Sequence, residues 1–524
     1  MQGKIFFTLI LSLILASVAA RLVSWAYRRR LVKLMSVDGA PKDTAKNSSA
    51  SRPSDDVRSF SSGDRNISIR SNRAARLRLA IVLVVLSLFI GMSVAWFNLS
   101  FVYSEGGFGP IKLAILGAIY AAPIVPVLGM LWRWSWQRIA GVACLYVLAA
   151  VIVVWLWSSG EQSLIGVIFW LAGQVGLPLV AILILTGSGQ TRAAAPYLFP
   201  PLFVLTTSSI LGLDALEGAM SSGFSGIVSS LAELFGALLT FVLFAVVPWF
   251  VAYWPIRALA RWLARSYRDK LFSEVTYLFA GYWLVSLLTY ALPPFGTLGW
   301  ASFALLGPWL WIPFGLAVAR PLLVRHENTP ILLVLRVFRR DAEVEALFDR
   351  IVEGWRYSGS VVLIAGSDLA SRTMDPDDLF AYIQGSIANR FIEDQVALRK
   401  QLENLDTRAD IDGLYRVNDF YCFDSTWQAV LLALVARSDH VLMDLRGFTA
   451  ENRGCLFELE TLARAEHLGK IVLLTDGKTD RDAARAALRE SAESNRIVWQ
   501  DAGKVDSSKA QKILRDLIEP WPAN

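Results

Sequence analysis

Histidine and cysteine are nearly absent from this chain, three of each in 524 residues. Cys144, Cys422 and Cys455 give neither a disulfide framework nor a C-x-x-C pair, so a cysteine scaffold and a cysteine-rich zinc site are excluded. His326, His440 and His467 lack the H-E-x-x-H spacing, and neither a P-loop nor a G-x-G-x-x-G fingerprint occurs. No metal site or resident cofactor is therefore expected. Acidic residues are scarce up to position 325, 12 against 26 Lys and Arg, whereas residues 326–524 carry 33 against 25. The basic surplus lies among long apolar runs, where it orients a membrane protein and does not point to nucleic acid.

Hydrophobic residues make up 54% of the chain and Trp occurs 19 times, which places it among polytopic membrane proteins. At about 20 apolar residues per span, we expect about nine helices, near 5–26, 79–101, 110–131, 139–157, 163–187, 196–213, 226–254, 276–292 and 299–324. Residues 1–35 read as an N-terminal anchor. The Ala16-Ser-Val-Ala-Ala20 run also suits a cleaved secretory signal, but cleavage would strand Arg28-Arg-Arg30 outside. Residues 36–76, rich in Ser, Asn, Asp and Arg, should form a disordered cytoplasmic linker, followed by a multi-pass domain over 77–325. Arginine-rich connections alternate with acidic ones, so the N-terminus is expected outside the cell membrane and the C-terminal domain in the cytoplasm. Arg257, Arg261, Arg265 and Arg268 oppose Ile256, Leu259 and Leu263 at helical spacing, predicting an interfacial helix over 255–272. Trp132-Arg-Trp-Ser-Trp136 reads as an interfacial belt. Lys112 and Glu233 sit near helix ends, so a charged midplane of the kind transporters use is missing. Gln174 with Pro123, Pro126 and Pro178 is left as a cavity lining or as ordinary kinks.

From His326 the period changes. Strands are expected at 331–338, 361–365, 440–445, 471–474 and 496–500, alternating with helices at 341–357, 425–436, 455–468, 481–493 and 507–518. This order predicts a five-stranded, parallel, doubly wound α/β domain over 326–524, of the flavodoxin or TIR-like type. Ligands of such sheets bind beyond the strand carboxyl ends. The insertion at 366–424 should overhang that edge.

Ser438-Asp-His-Val-Leu-Met-Asp444, followed by Gly454-Cys-Leu-Phe-Glu-Leu459, resembles the third strand and following helix of TIR domains. The same stretch is similar to nucleoside 2-deoxyribosyltransferases, whose Asp-x-Gly-x-x-x-Glu helix and Gly-Lys strand are echoed by Asn452-Arg-Gly454, Glu458 and Gly469-Lys470. The resemblance is sharp over about residues 425–475 and absent from the membrane half. It implies chemistry at the anomeric carbon of a ribosyl group, with Glu458 contacting or attacking the sugar and NAD or a related nucleotide as substrate or ligand. Asp444 would orient sugar hydroxyls, and Asn452 and Gly454 would line the site. Two departures stand out: the TIR-type Trp before the Cys is Gly454, and the transferase-type Asp is Asn452, which does not ionise.

Ser367 and Asp368, after the second strand, are candidate ribose or base contacts, and Arg336, Arg339 and Arg446 are candidates for phosphate. Each has a plainer reading. Glu458 suits a helix dipole, Asp444 a turn, and Arg339-Arg340-Asp341 a solvated helix start. Three functions are compatible with this pattern: an N-glycosidase in signalling or defence, a non-enzymatic membrane scaffold or sensor, and a nucleotide-gated transporter. The expected partners are the lipid bilayer, a nucleotide or nucleoside, and further copies of the chain.

Overall fold

The computed structural model describes residues 2–35, 69–102, 109–157, 163–186, 189–222, 224–324, 329–336, 350–365, 376–423, 425–502 and 507–518. It divides into two compact units: Met1–Trp25, Ala80–Ala319 and Thr373–Phe380 in one, and Ala26–Leu79, Arg320–Arg372 and Ala381–Asn524 in the other.

The first unit is helical. Among the described residues, seven helices are long and apolar enough to cross a membrane, and Pro110–Tyr120 with Ile124–Leu131 forms a pair bent by 50°. Against the nine expected spans, seven helices, or eight with the bent pair, meet that measure of length and apolarity among the described residues. The break at Ala121–Pro123 interrupts one of them, and Glu274–Ala291, rich in Tyr, Thr and Ser, is too polar to qualify although most of it is buried. The predicted separate interfacial helix also changes form: Ala237–Arg268 is one span whose last stretch, Pro248–Arg268, carries the arginines. Small residues bring helices together in this unit. A Cβ at Gly91 would strike the Gly117 carbonyl, and Ala16 is fully buried. A short hydrogen bond of 2.5 Å joins Ser12 Oγ and Thr206 Oγ1, and at the end of the same helix pair Lys4 Nζ donates to Asp214 at 2.6 Å and Glu217 at 3.2 Å. Asn98–Val102 and Ala172–Gly176 are π-helical. Asn98 Nδ2 donates to the Tyr120 hydroxyl at 3.3 Å, one residue before the helix break.

The second unit is built on a parallel sheet. Its strands are β1 (Ile331–Arg336), β2 (Ser360–Ala365), β3 (Phe391–Ile392), β4 (Val417–Cys422), β5 (His440–Asp444), β6 (Lys470–Thr475) and β7 (Ile497–Asp501). They run in the order β3-β4-β2-β1-β5-β6-β7, all parallel. Apolar residues alternate between two cores: Leu333, Leu335, Val441 and Met443 on one side, and Leu332, Val334, Leu442 and Val472 on the other. A sheet covered on both faces needs such uninterrupted apolar runs.

The five-stranded expectation is corrected to seven. The two extra strands come from the 366–424 insertion, whose described part extends the sheet: β4 pairs with β2 from Val361↔Val417 to Ala365↔Tyr421. Asn418 and Asp419 hide this strand from a hydropathy reading. Asn418 is tied in place, donating to the carbonyls of Val361 at 3.3 Å and Asp406 at 3.1 Å.

Two further segments join this unit. The Gln2–Met35 helix supplies Tyr27, whose hydroxyl lies 3.1 Å from that of Tyr421 and whose ring meets Tyr382 edge-on. The Ile69–Phe97 helix begins earlier than expected, inside the predicted linker, and its Asn72 Nδ2 donates to Gly354 O at 2.7 Å and Ser358 Oγ at 2.8 Å. Arg76 lies over the Tyr357 ring, 4.8 Å from its centroid. Positions 36–68 of the expected linker lie outside the described residues.

Candidate functional site

The strand order reverses between β1 and β5: from β1 the chain passes to β2 on one side, and from β5 to β6 on the other. The carboxyl ends of these two strands therefore flank the crevice where parallel sheets hold ligands. Register sets Arg336 beside Asp444 there.

Asp444 and Arg446 close on each other. Arg446 Nε and Nη2 donate to Asp444 Oδ1 and Oδ2, both at 2.9 Å, and the Arg446 backbone N–H adds a third bond at 3.1 Å. Both side chains are buried, and Arg446 Nη1 also reaches Ala502 O at 3.4 Å. This fork satisfies much of the hydrogen-bonding capacity that the sequence assigned to sugar hydroxyls and phosphate, so the pair shapes the edge by locking the turn after β5. Gly447 follows with φ +70°, and its N–H donates to Asp476 Oδ1 at 3.0 Å. Thr479 Oγ1 donates to Leu445 O at 2.9 Å, which staples the β5 and β6 loops together.

Glu458 lies in the Arg453–Arg464 helix, whose buried residues are Cys455, Glu458, Leu459 and Leu462. That spacing is an apolar stripe facing the sheet, and Glu458 is its carboxylate, only 9% exposed. It sits beyond the first helical turn, where the dipole effect has faded, so the plain dipole reading does not account for it. Burial, with the Glu458 and Asp444 carboxylates adding to it, pushes the Cys455 thiol up to about 12. Cys455 thus lies within electrostatic reach of both carboxylates. A carboxylate so placed has the chemistry to attack, or to stabilise, an oxocarbenium-like sugar carbon.

The other expected contacts fare differently. Asn452 turns back into its own loop, its Oδ1 accepting from Thr449 N at 2.8 Å and Thr449 Oγ1 at 3.1 Å. Gly454 faces an aromatic side chain: a Cβ there would rest 3.9 Å from the ring of Trp427, which also packs edge-on against Phe457. Trp427, from the preceding helix, supplies a ring near the point where the TIR-type Trp is missing. Only the backbone register of Arg336 is described, and Arg339, Ser367 and Asp368 lie outside the described residues. His440 packs edge-on against Trp355, and a His467 ring nitrogen lies 2.9 Å from Val435 O, both structural roles.

Sequence reading missed the β6 side of this edge. An open depression of about 420 Å³ is lined by Asp476, Thr479, Asp480, Arg481, Asp482 and Asp501. Desolvation raises the Asp476 carboxyl, but hydrogen bonds from Gly447, Thr479 and Lys478, with Arg446 nearby, outweigh it and hold the group below its usual range. The Thr475-Asp-Gly-Lys-Thr479 turn directly after an apolar strand is the signal that could have found it. Four carboxylates against one guanidinium make this depression unsuited to phosphate. Among the described residues no group of three or more His, Cys, Asp or Glu side chains could hold a metal ion.

Comparison of the chain with protein families, with curated proteins and with solved structures returns no match. The likeness of Ser438–Leu459 to TIR domains and deoxyribosyltransferases therefore rests on those residues alone.

Proposed function

We propose that this membrane protein presents a cytoplasmic α/β domain that binds NAD or a related nucleotide at the carboxyl ends of β1 and β5, acting in signalling or defence. In this reading Glu458 attacks the anomeric carbon, the base leaves with the bond electrons, and water hydrolyses the glycosyl ester. The observation that carries it is a carboxylate nine-tenths buried on the helix that follows β5, one turn from Cys455, whose thiol feels both Glu458 and Asp444.

Tyr27 and Asn72, on either side of residues 36–68, both pack on the α/β body. The chain must then cross the membrane an even number of times between Leu79 and Arg320. Eight crossings satisfy this, by the six apolar helices after the first together with the bent pair and Glu274–Ala291, and they keep Arg133, Arg138 and the Arg257–Arg268 end on the side of the α/β body, which six crossings would not. One more crossing by the first helix places the N-terminus opposite the C-terminal domain, and the arginine-rich side is the cytoplasm.

A second reading is a non-enzymatic sensor or scaffold, assembled from several copies, in which the domain binds a nucleotide or protein without cleaving it. The self-paired Asp444 and Arg446 and the inward-turned Asn452 favour it. Incubation of the detergent-solubilised chain with NAD, NADP and deoxynucleosides, following release of the free base, separates the two. Release that is lost in Glu458→Gln supports cleavage. No release at concentrations where a nucleotide still raises the melting temperature supports the sensor.

A further inference from the structure

We propose that the arginine face of the Pro248–Arg268 helix is a binding surface for anionic phospholipid headgroups, a property separate from any chemistry of the α/β domain. This 21-residue helix contains no Asp or Glu. At 100° per residue, Arg257, Arg261, Arg265 and Arg268 fall within an arc of about 80° and span about 16 Å of helix. Four of its five buried residues, Ala252, Leu263, Ser266 and Tyr267, lie on the opposite side. All four arginines are exposed, and none makes an ion pair among the described residues.

Among the described residues their hydrogen bonds are few and local. Arg257 Nη1 donates to Tyr253 OH at 2.9 Å, Arg261 Nε to Arg257 O at 3.3 Å, and Arg268 Nε to Ala264 O at 3.4 Å. A guanidinium has five N–H donors, so each arginine keeps most of its capacity for another partner.

The occupant is fixed by where this face lies. Pro248–Arg268 completes the apolar span Ala237–Arg268, so the guanidinium row stands at the end of a membrane crossing, at the depth of headgroup phosphates. Trp254, 67% exposed, sits within the arginine arc, and Trp262, 57% exposed, sits beside it. Amphipathic rings next to cations are what an interface rewards, and a soluble acidic partner would have no use for them. Asp269, the first acid after the helix, lies beyond the last arginine and leaves the row cationic.

The test uses the full chain in detergent and fluorescent phosphatidylglycerol or phosphatidylcholine as probes. The native protein should prefer phosphatidylglycerol, with binding that falls as salt rises. The R257Q/R261Q/R265Q/R268Q variant should lose that preference by at least about tenfold, while R257K/R261K/R265K/R268K keeps it. R399Q/K400Q/K478Q/R489Q, which removes the same charge from the α/β domain, should bind as the native protein does. Retained preference in the four-glutamine variant, equal loss in the α/β control, or no preference in the native chain overturns the proposal. Loss in the four-lysine variant as well would also overturn it, since charge alone would then not account for binding.

Discussion

The two units of this protein bury opposite things. In the membrane unit large apolar side chains point outward, with Leu238 80% and Phe250 76% exposed, while hydroxyls and amides such as Ser12, Thr206 and Asn98 are buried and hydrogen-bonded. In the α/β unit Leu333, Met443 and Phe448 are wholly buried, and two buried ion pairs, Asp444 with Arg446 and Asp410 with Arg416, lie among them. One residue type thus carries different meaning in each half. An apolar side chain is solvent-facing where the solvent is lipid and core-forming where it is water.

Replacing one partner of the buried pair, Arg446→Ala, should cost about 3–5 kcal/mol because it strands Asp444, while a combined Asp444→Leu, Arg446→Met change should be close to neutral. Urea or thermal unfolding of the solubilised chain measures both, and equal losses would show that the pair is not a closed unit. Phe448→Ala should also cost about 3–5 kcal/mol, whereas Phe250→Ala, losing only contact with lipid, should change the unfolding midpoint little. Between the membrane helices, a double-mutant cycle of Ser12→Ala and Thr206→Val should give a coupling of about 0.6–1.7 kcal/mol. The smallest effect concerns acid. The Asp476 carboxyl is held below its unfolded value of 3.8, so its contribution is present above that value and lost as pH falls through the lower folded value. Melting temperatures between pH 3 and 6 should fall more steeply at the acid end for the native chain than for Asp476→Asn.

Much of the α/β fold was legible because its interior strands are nearly pure apolar runs. Ile331–Leu335, Val361–Ala365 and Ile471–Leu474 announce themselves, and the observed β1, β2 and β6 start within a residue of the expected positions. β4 was not legible, since Asn418 and Asp419 bond through side chain and backbone in a strand pattern that hydropathy alone does not show. In the membrane half the helix positions were readable and their breaks were not. The Ala121–Pro123 break and the polar Glu274–Ala291 helix depend on packing, which span length does not encode.

At the candidate site, the spacing of Cys455, Glu458 and Leu459 on one helical face was readable. The mutual capture of Asp444 and Arg446 was not, because both residues suit a ligand equally well until the turn between them is folded. The same holds for Asn452, whose bonding to Thr449 is a property of loop geometry.

The proposed nucleotide site lies at the strand ends of β1 and β5. Photo-cross-linking of the solubilised full chain with 8-azido-NAD, competed by unlabelled NAD and mapped by peptide mass spectrometry, tests it most directly. Saturable labelling between Leu445 and Glu458, removed by competitor, is the expected result. Labelling confined to the membrane helices, or labelling that unlabelled NAD fails to displace, would contradict it.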